Sequence, residues 1–245
     1  MQDIVMSYHL PLLASVFALA ALASASAGDS APPALVVVEL FTSQGCSSCP
    51  PADAYLGELA KKPGVIALGF HVDYWNYIGW TDPYSLKLAA ERQRDYARHL
   101  GLHYVYTPQM VVDGAAEGVG SEPDKISPLL SSAARDPKAR PALALEHRGD
   151  GGFHIHVGAG KADGAATVWL VGYDPLHQTK VLRGENEGAT SHDYQVVRSF
   201  TAVGQWSGGA LDLDLPVDAA AGEAAAVIVQ AGGTGPILAA AKLAR

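Results

Sequence analysis

Residues 34–41, Ala-Leu-Val-Val-Val-Glu-Leu-Phe, are apolar at every position but one, a run of strand length and β-branched composition. A polar, glycine-containing stretch follows, and residues 50–60 then read as a helix with Pro50 and Pro51 in its first turn. Proline is tolerated there because the first helical N–H groups have no intrahelical acceptor. Residues 65–72 predict a second buried strand, and an aromatic loop spans Tyr74 to Trp80. Asp82-Pro83 carries a helix-start signal, with Asp82 as N-cap, and Gly101 supplies the matching stop. Beyond Thr107-Pro108 a short strand at 109–112 meets Asp113-Gly114, a hairpin turn signal, with a return strand from about Val119. Ser121-Glu122-Pro123 opens a last helix to about Arg135.

The pattern then changes. Residues 136–141, with two prolines, read as a linker. Seven short alternating runs separated by Gly-rich turns follow, at 142–147, 153–157, 167–173, 194–202, 211–215, 225–230 and 237–242. Such spacing suggests an antiparallel sandwich. Within 153–157, His154 and His156 share one face, a solvated strand face or, with His147, a metal site. This half reads as a binding or dimerisation module, and its pattern does not choose between them.

At the other end of the chain, residues 10–23 are apolar but short for a bilayer span, and Ala25-Ser26-Ala27 fits a small-x-small cleavage site. Residues 1–27 are therefore expected to be a signal peptide, with a soluble periplasmic or secreted protein starting near Gly28; an uncleaved anchor is the alternative. The formal net charge is −8, which argues against a nucleic-acid or anionic-lipid partner.

The chain's two cysteines form one motif, Cys46-Ser47-Ser48-Cys49, where strand gives way to helix. Unpaired N–H groups at a helix start favour a thiolate, the nucleophile of disulfide exchange. A structural bridge between these two would close too small a loop to constrain the unfolded chain much. A zinc site would need two more ligands at suitable spacing.

Strand, Cys-bearing helix, strand, helix, Thr-Pro, hairpin, helix is the order of a thioredoxin-like domain, and the motifs resemble that family's. Cys46-Ser-Ser-Cys49-Pro50 looks like its dithiol and Thr107-Pro108 like its cis-proline, which faces the cysteines. Val38-Glu39-Leu40-Phe41 looks like its strand with an embedded acid beneath the second cysteine. The whole chain also resembles an uncharacterised exported bacterial family catalogued as domain of unknown function 1223. Residues 39–53, 71–75 and 183–186 carry that match.

These resemblances imply an α/β thioredoxin-like domain over 28–135, a linker, and an all-β, antiparallel sandwich-like domain over 142–245. Cys46, at the more exposed end, would attack, and Cys49 would resolve the mixed disulfide. Glu39, an acid in an apolar strand, would be buried with a raised pKa and accept the Cys49 proton; otherwise it faces solvent from an edge strand. Asp53 reads as a first-turn acid complementing the helix dipole. Thr107 would offer backbone groups to an extended substrate beside Pro108. The loop with Tyr74 and Trp75 would wall that substrate or plug the core. The functional expectation is an exported thiol–disulfide oxidoreductase acting on protein or peptide thiols without a bound cofactor or metal. The alternative is a binding or metal-relay protein whose cysteine pair is structural or a metal ligand.

Overall fold

Strand β1 (Val36–Thr42) is buried along its whole length. Val36, Val38 and Leu40 face one way, towards helix α1 (Pro50–Ala60), and Val37 and Phe41 face the other. Apolar residues on both faces mark a strand covered on both sides. It pairs in parallel with β2 (Val65–His71), reached through α1, and antiparallel with β3 (Gln109–Val112). Between β2 and β3 lies α2 (Lys87–Leu100), closed by Gly101 in the left-handed conformation at φ 69°. A turn at Asp113 and Gly114, both at positive φ, joins β3 to β4 (Ala116–Val119), so Val119 ends the return strand. Helix α3 (Pro123–Ala134) packs with α1 on the Val36–Leu40 face.

The structure, a computed structural model, describes residues 1–2, 35–136 and 140–243. The apolar run and the small-x-small site on which the signal-peptide expectation rests lie outside the described residues.

Helix α2 begins four residues later than the Asp82-Pro83 signal predicts, with Leu86 in place of Asp82 as its N-cap residue. Asp82 is used elsewhere: one carboxylate oxygen accepts the Tyr84 N–H, and the other accepts from Gln44 and lies 2.8 Å from His71. A tertiary partner has overridden a local capping signal.

All seven runs of the second half are strands: β5 (Leu143–His147), β6 (Phe153–Val157), β7 (Ala166–Lys180), β8 (Thr190–Trp206), β9 (Leu211–Leu215), β10 (Ala224–Ala231) and β11 (Ile237–Lys242). They do not form a separate sandwich. β8 lies parallel to β2 through Gly69 and Val196, making one eight-stranded mixed sheet in the order β11-β10-β7-β8-β2-β1-β3-β4. The expectation of a thioredoxin-like α/β domain followed by an all-β domain is thus overturned, because the first half's sheet continues into the second half's strands. β5, β6 and β9 form a separate three-stranded sheet. Its Leu145, Phe153, Ile155 and Val157 pack with Val168, Leu170, Val227 and Val229 of the main sheet. The far edge also returns to the first half: the Ile237 N–H bonds to the Asp113 carbonyl at 2.8 Å.

The joint is close. A Cβ on Gly69 would stand 2.7 Å from the Tyr194 carbonyl oxygen, and one on Gly57 of α1 would stand 2.9 Å from the Tyr194 ring. Glycine at both positions lets the β7–β8 hairpin lie against β2 and α1.

Candidate functional site

The chain leaves β1 at Thr42 and forms a tight loop, in which the Cys46 N–H bonds to the Ser43 carbonyl and the Cys49 N–H to the Cys46 carbonyl. Cys46 and Cys49 are joined as a disulfide, with Cα atoms 5.4 Å apart. Cys49 is the N-cap residue of α1, and its carbonyl accepts the N–H groups of Ala52 and Asp53. Ser47 and Ser48 are exposed, but Cys46 is only 1% exposed and Cys49 is fully buried, so Cys46 is not the open end that the motif order suggests. Part of the cover comes from the second half. In the loop between β7 and β8, the Asn186 amide donates to the Gln44 carbonyl at 2.9 Å and to the Cys46 carbonyl at 3.0 Å. Beside it, a Glu185 carboxylate oxygen accepts the Ser47 N–H at 3.2 Å.

Glu39 is buried, but on the face of β1 away from α1. Both its oxygens take hydrogen bonds from Arg92, and Tyr96 donates a further one at 2.6 Å. Arg92 donates to the Gln230 amide oxygen at 3.0 Å and lies 4.2 Å from the Phe200 ring centroid. The acid expected beneath Cys49 is thus a saturated partner of a buried guanidinium. The reason is parity: one residue's difference in a strand's register exchanges its faces.

Asp53 occupies the other face. It is 7% exposed, one turn into α1, and its carboxylate accepts the Thr42 hydroxyl proton at 2.7 Å. Burial pushes its carboxyl up, and Asp193 and Asp82 add to that, against the pull of His71 and Thr42; the result is about 7. His71 is buried too, which disfavours its charge, but Asp82, Asp193 and Asp53 outweigh burial and lift it to about 9. Asp82 is held below the usual carboxylate range because His71 outweighs the effect of burial. Gln44 ties this cluster to the cysteine loop. Its N–H bonds to Asp82, its amide donates to Asp193 at 2.6 Å, and its amide oxygen accepts the Trp80 indole N–H. Ser191 donates to the other Asp193 oxygen at 2.7 Å.

The aromatic loop joins the remaining expected residues. Thr107–Pro108 is a cis peptide, and the Thr107 hydroxyl accepts the Trp75 indole N–H at 2.7 Å. A Cβ on Gly45 would touch the Trp75 Cβ at 3.2 Å, so Trp75 bridges the cysteine loop and the Thr-Pro segment. Tyr74 is half-buried, donates to Gln93 at 3.0 Å, and packs on the core beneath. Cys46, Cys49, Trp75 and Thr107 are thus gathered in one region, and Glu39 stands on the other side of the sheet.

A cleft of about 310 Å³ opens beside the cysteine loop. Gln44, Pro50, Asp53 and Ala54 line one side, and the β7–β8 hairpin, with Asn186, Ser191, His192 and Tyr194, lines the other. No group of three or more His, Cys, Asp or Glu residues is placed to hold a metal ion among the described residues. His154 and His156 instead pair with Asp214 and Asp212 across β9, at 2.8 and 2.7 Å.

A family described as a protein of unknown function, DUF1223, matches residues 37–230. The chain belongs to that family. The matched span takes in the cysteine loop, His71, Asp82, the cleft and the Arg183–Asn186 loop, so the site is built within the DUF1223 region. A crystal structure of a protein from Agrobacterium tumefaciens, determined in a structural genomics programme, is similar to the chain at 33% identity and a TM-score of 0.75. The likeness covers 86% of this chain and 94% of that one. A comparison with curated proteins gave no match.

The sequence pattern marks Asp53 only as a helix-dipole acid and Asp82 only as a helix N-cap, and it gives His71, Asp193 and Gln44 no role. The signal available was the cluster of acids and amides inside the long matched stretches, Gln44 and Asp53 in one and His71 in another.

Proposed function

We propose that this protein is an exported thiol–disulfide oxidoreductase acting on protein or peptide thiols through Cys46 and Cys49, without a bound cofactor. The observation that carries the reading is the disulfide at the start of α1, one turn from a buried acid poised near neutrality and beside an open cleft. A reactive cysteine pair needs a group that takes and returns a proton near the working pH. Asp53 meets that need, the part first expected of Glu39.

In the reducing direction, the Cys46 thiolate attacks a partner disulfide, forming a mixed disulfide and releasing one partner thiolate. Cys49 gives its proton to the Asp53 carboxylate and attacks the Cys46 sulfur. The Cys46–Cys49 bond forms, and the second partner leaves as a thiolate that takes up the proton held by Asp53. The protein is oxidised by two electrons as the partner disulfide is reduced to two thiols. The oxidising direction is the reverse. Thr107 and the Trp75 wall support an extended partner segment beside the cysteines.

A redox titration tests this: a catalytic pair has a midpoint well above roughly −300 mV, and a structural bridge lies below it. Cys49→Ser is expected to trap partners on Cys46, and Cys46→Ser to trap none. Burial of both cysteines favours a second reading, a structural bridge. A midpoint below that boundary, with no trapping, selects it.

A further inference from the structure

The groups that line the opening beside the disulfide share one electrostatic character, and the buried His71 behind them is paired with Asp82. Among the cleft-lining residues there is no lysine or arginine, and His192 alone can carry positive charge. Asp53 lines the cleft, and Asp193 lies behind it, bonded to Gln44 and Ser191. Above the cysteine loop, Glu185 holds the Ser47 N–H, a donor beside Cys46 that an incoming anion would otherwise use. Asn186 occupies the carbonyls of Gln44 and Cys46. A partner reaching the buried sulfurs must displace this loop, which frees two carbonyl acceptors and leaves a carboxylate nearby. Lys180, at the base of the hairpin, is bonded to the Gly188 carbonyl at 2.7 Å. Arg183 is exposed and outside the cleft lining.

We infer that the site selects partner cysteines flanked by basic or neutral hydrogen-bond-donating residues and turns away anionic thiols of the glutathione type, with Glu185 and Asp53 as the discriminating groups. This rests on the oxidoreductase reading and adds a substrate class to it. An acceptor-rich opening recognises donors, and a cationic flank gains from carboxylates that an anionic flank must approach. The chemistry is the two-electron exchange already set out, with the substrate disulfide as oxidant in the reducing direction.

The test uses the full, reduced protein and disulfide-linked dimers of short peptides whose cysteine is flanked by two lysines, two serines or two glutamates, with glutathione disulfide as a fourth probe. Peptide thiol release is followed chromatographically. Each rate is divided by that probe's rate with dithiothreitol, which removes the effect of the flanks on the disulfide's own reactivity. The expected order is lysine, serine, glutamate, with glutathione disulfide beside glutamate and about tenfold between the extremes at low salt. At high salt the spread should shrink to about threefold or less, because screening shortens the reach of exposed charges. Glu185→Gln should compress the order, and Arg183→Ala should leave it in place. Equal normalised rates, or an order that Glu185→Gln does not change, would overturn the inference while leaving the oxidoreductase reading standing. If even 2-hydroxyethyl disulfide, small and neutral, fails to react, the oxidoreductase reading itself falls and the inference with it.

Discussion

The two faces of β1 carry two buried polar clusters that differ in kind. On one, Glu39 and Arg92 meet as one acid and one base, completed by Tyr96 and Gln230. On the other, three acids, Asp53, Asp82 and Asp193, act on one imidazole, and Asp53 is the acid pushed to about 7. Both clusters are removed from water; they differ in stoichiometry. A matched pair balances its charges within the cluster, whereas the surplus of carboxylates around one cation helps to push Asp53 up. Burial alone therefore does not mark a candidate proton carrier; an unbalanced charge count beside the cysteine pair is the stronger sign.

The largest expected effect tests the matched pair. Arg92→Met leaves the Glu39 carboxylate buried without its counter-charge and should lower stability by about 3–5 kcal/mol, read from the urea midpoint. Glu39→Gln should also destabilise, yet its rate of mixed-disulfide resolution per folded molecule should stay within about twofold of the parent, since the sheet separates it from the cysteines. A large resolution defect in Glu39→Gln would erase the contrast.

On the other face the effects exchange places. Asp53→Asn should fold, because the amide can still accept the Thr42 bond, but it should slow resolution about a hundredfold near neutral pH by removing the proton acceptor. A resolution rate equal to the parent's would place the acceptor elsewhere.

The pH dependence of stability sharpens the same contrast. The folded state keeps the Asp53 proton up to about 7, where the unfolded carboxyl has lost it above its ordinary 3.8, so stability should fall as pH rises between those values. His71 continues the trend. Its charge stabilises the fold fully below 6.5, and that contribution declines as pH rises through about 9. Urea midpoints across pH 4–10 should show a decline in both windows, with the lower one absent in Asp53→Asn. A flat curve in the parent would mean that these protons are not held.

The smallest effect concerns the cover. Asn186→Ala removes two hydrogen bonds to the cysteine loop, each worth about 1 kcal/mol, and should speed reduction of the disulfide by dithiothreitol roughly tenfold. An unchanged rate would mean that the loop does not limit access.

Local pattern was enough to find the strands and helices of both halves, because period and turn chemistry are carried by neighbouring residues. Gly101 and Asp113-Gly114 behave as their local chemistry dictates. What was not legible depends on distance along the chain. The β2–β8 joint rests on Gly69 meeting Val196, which neither segment's periodicity announces. Glu39 was legible as a buried acid but not which face it takes, since that depends on counting residues between strand and helix. Asp53 reads as an ordinary first-turn acid until Thr42, His71 and Asp193 are brought around it. Asp82 was misread because its N-cap signal was the stronger local one.

The Gly69–Val196 joint also bears on how this protein can be taken apart. A chain ending after α3 would present β2, seven buried residues long, as a bare apolar edge with unmet backbone donors and acceptors. Such a fragment would recruit any available strand, most readily that of another copy, and collect as aggregate. It would also lack the hairpin that supplies one wall of the cleft and the cover over Cys46. Supplied as two separate polypeptides, the halves would be obligate complements, each the template on which the other's open edge closes.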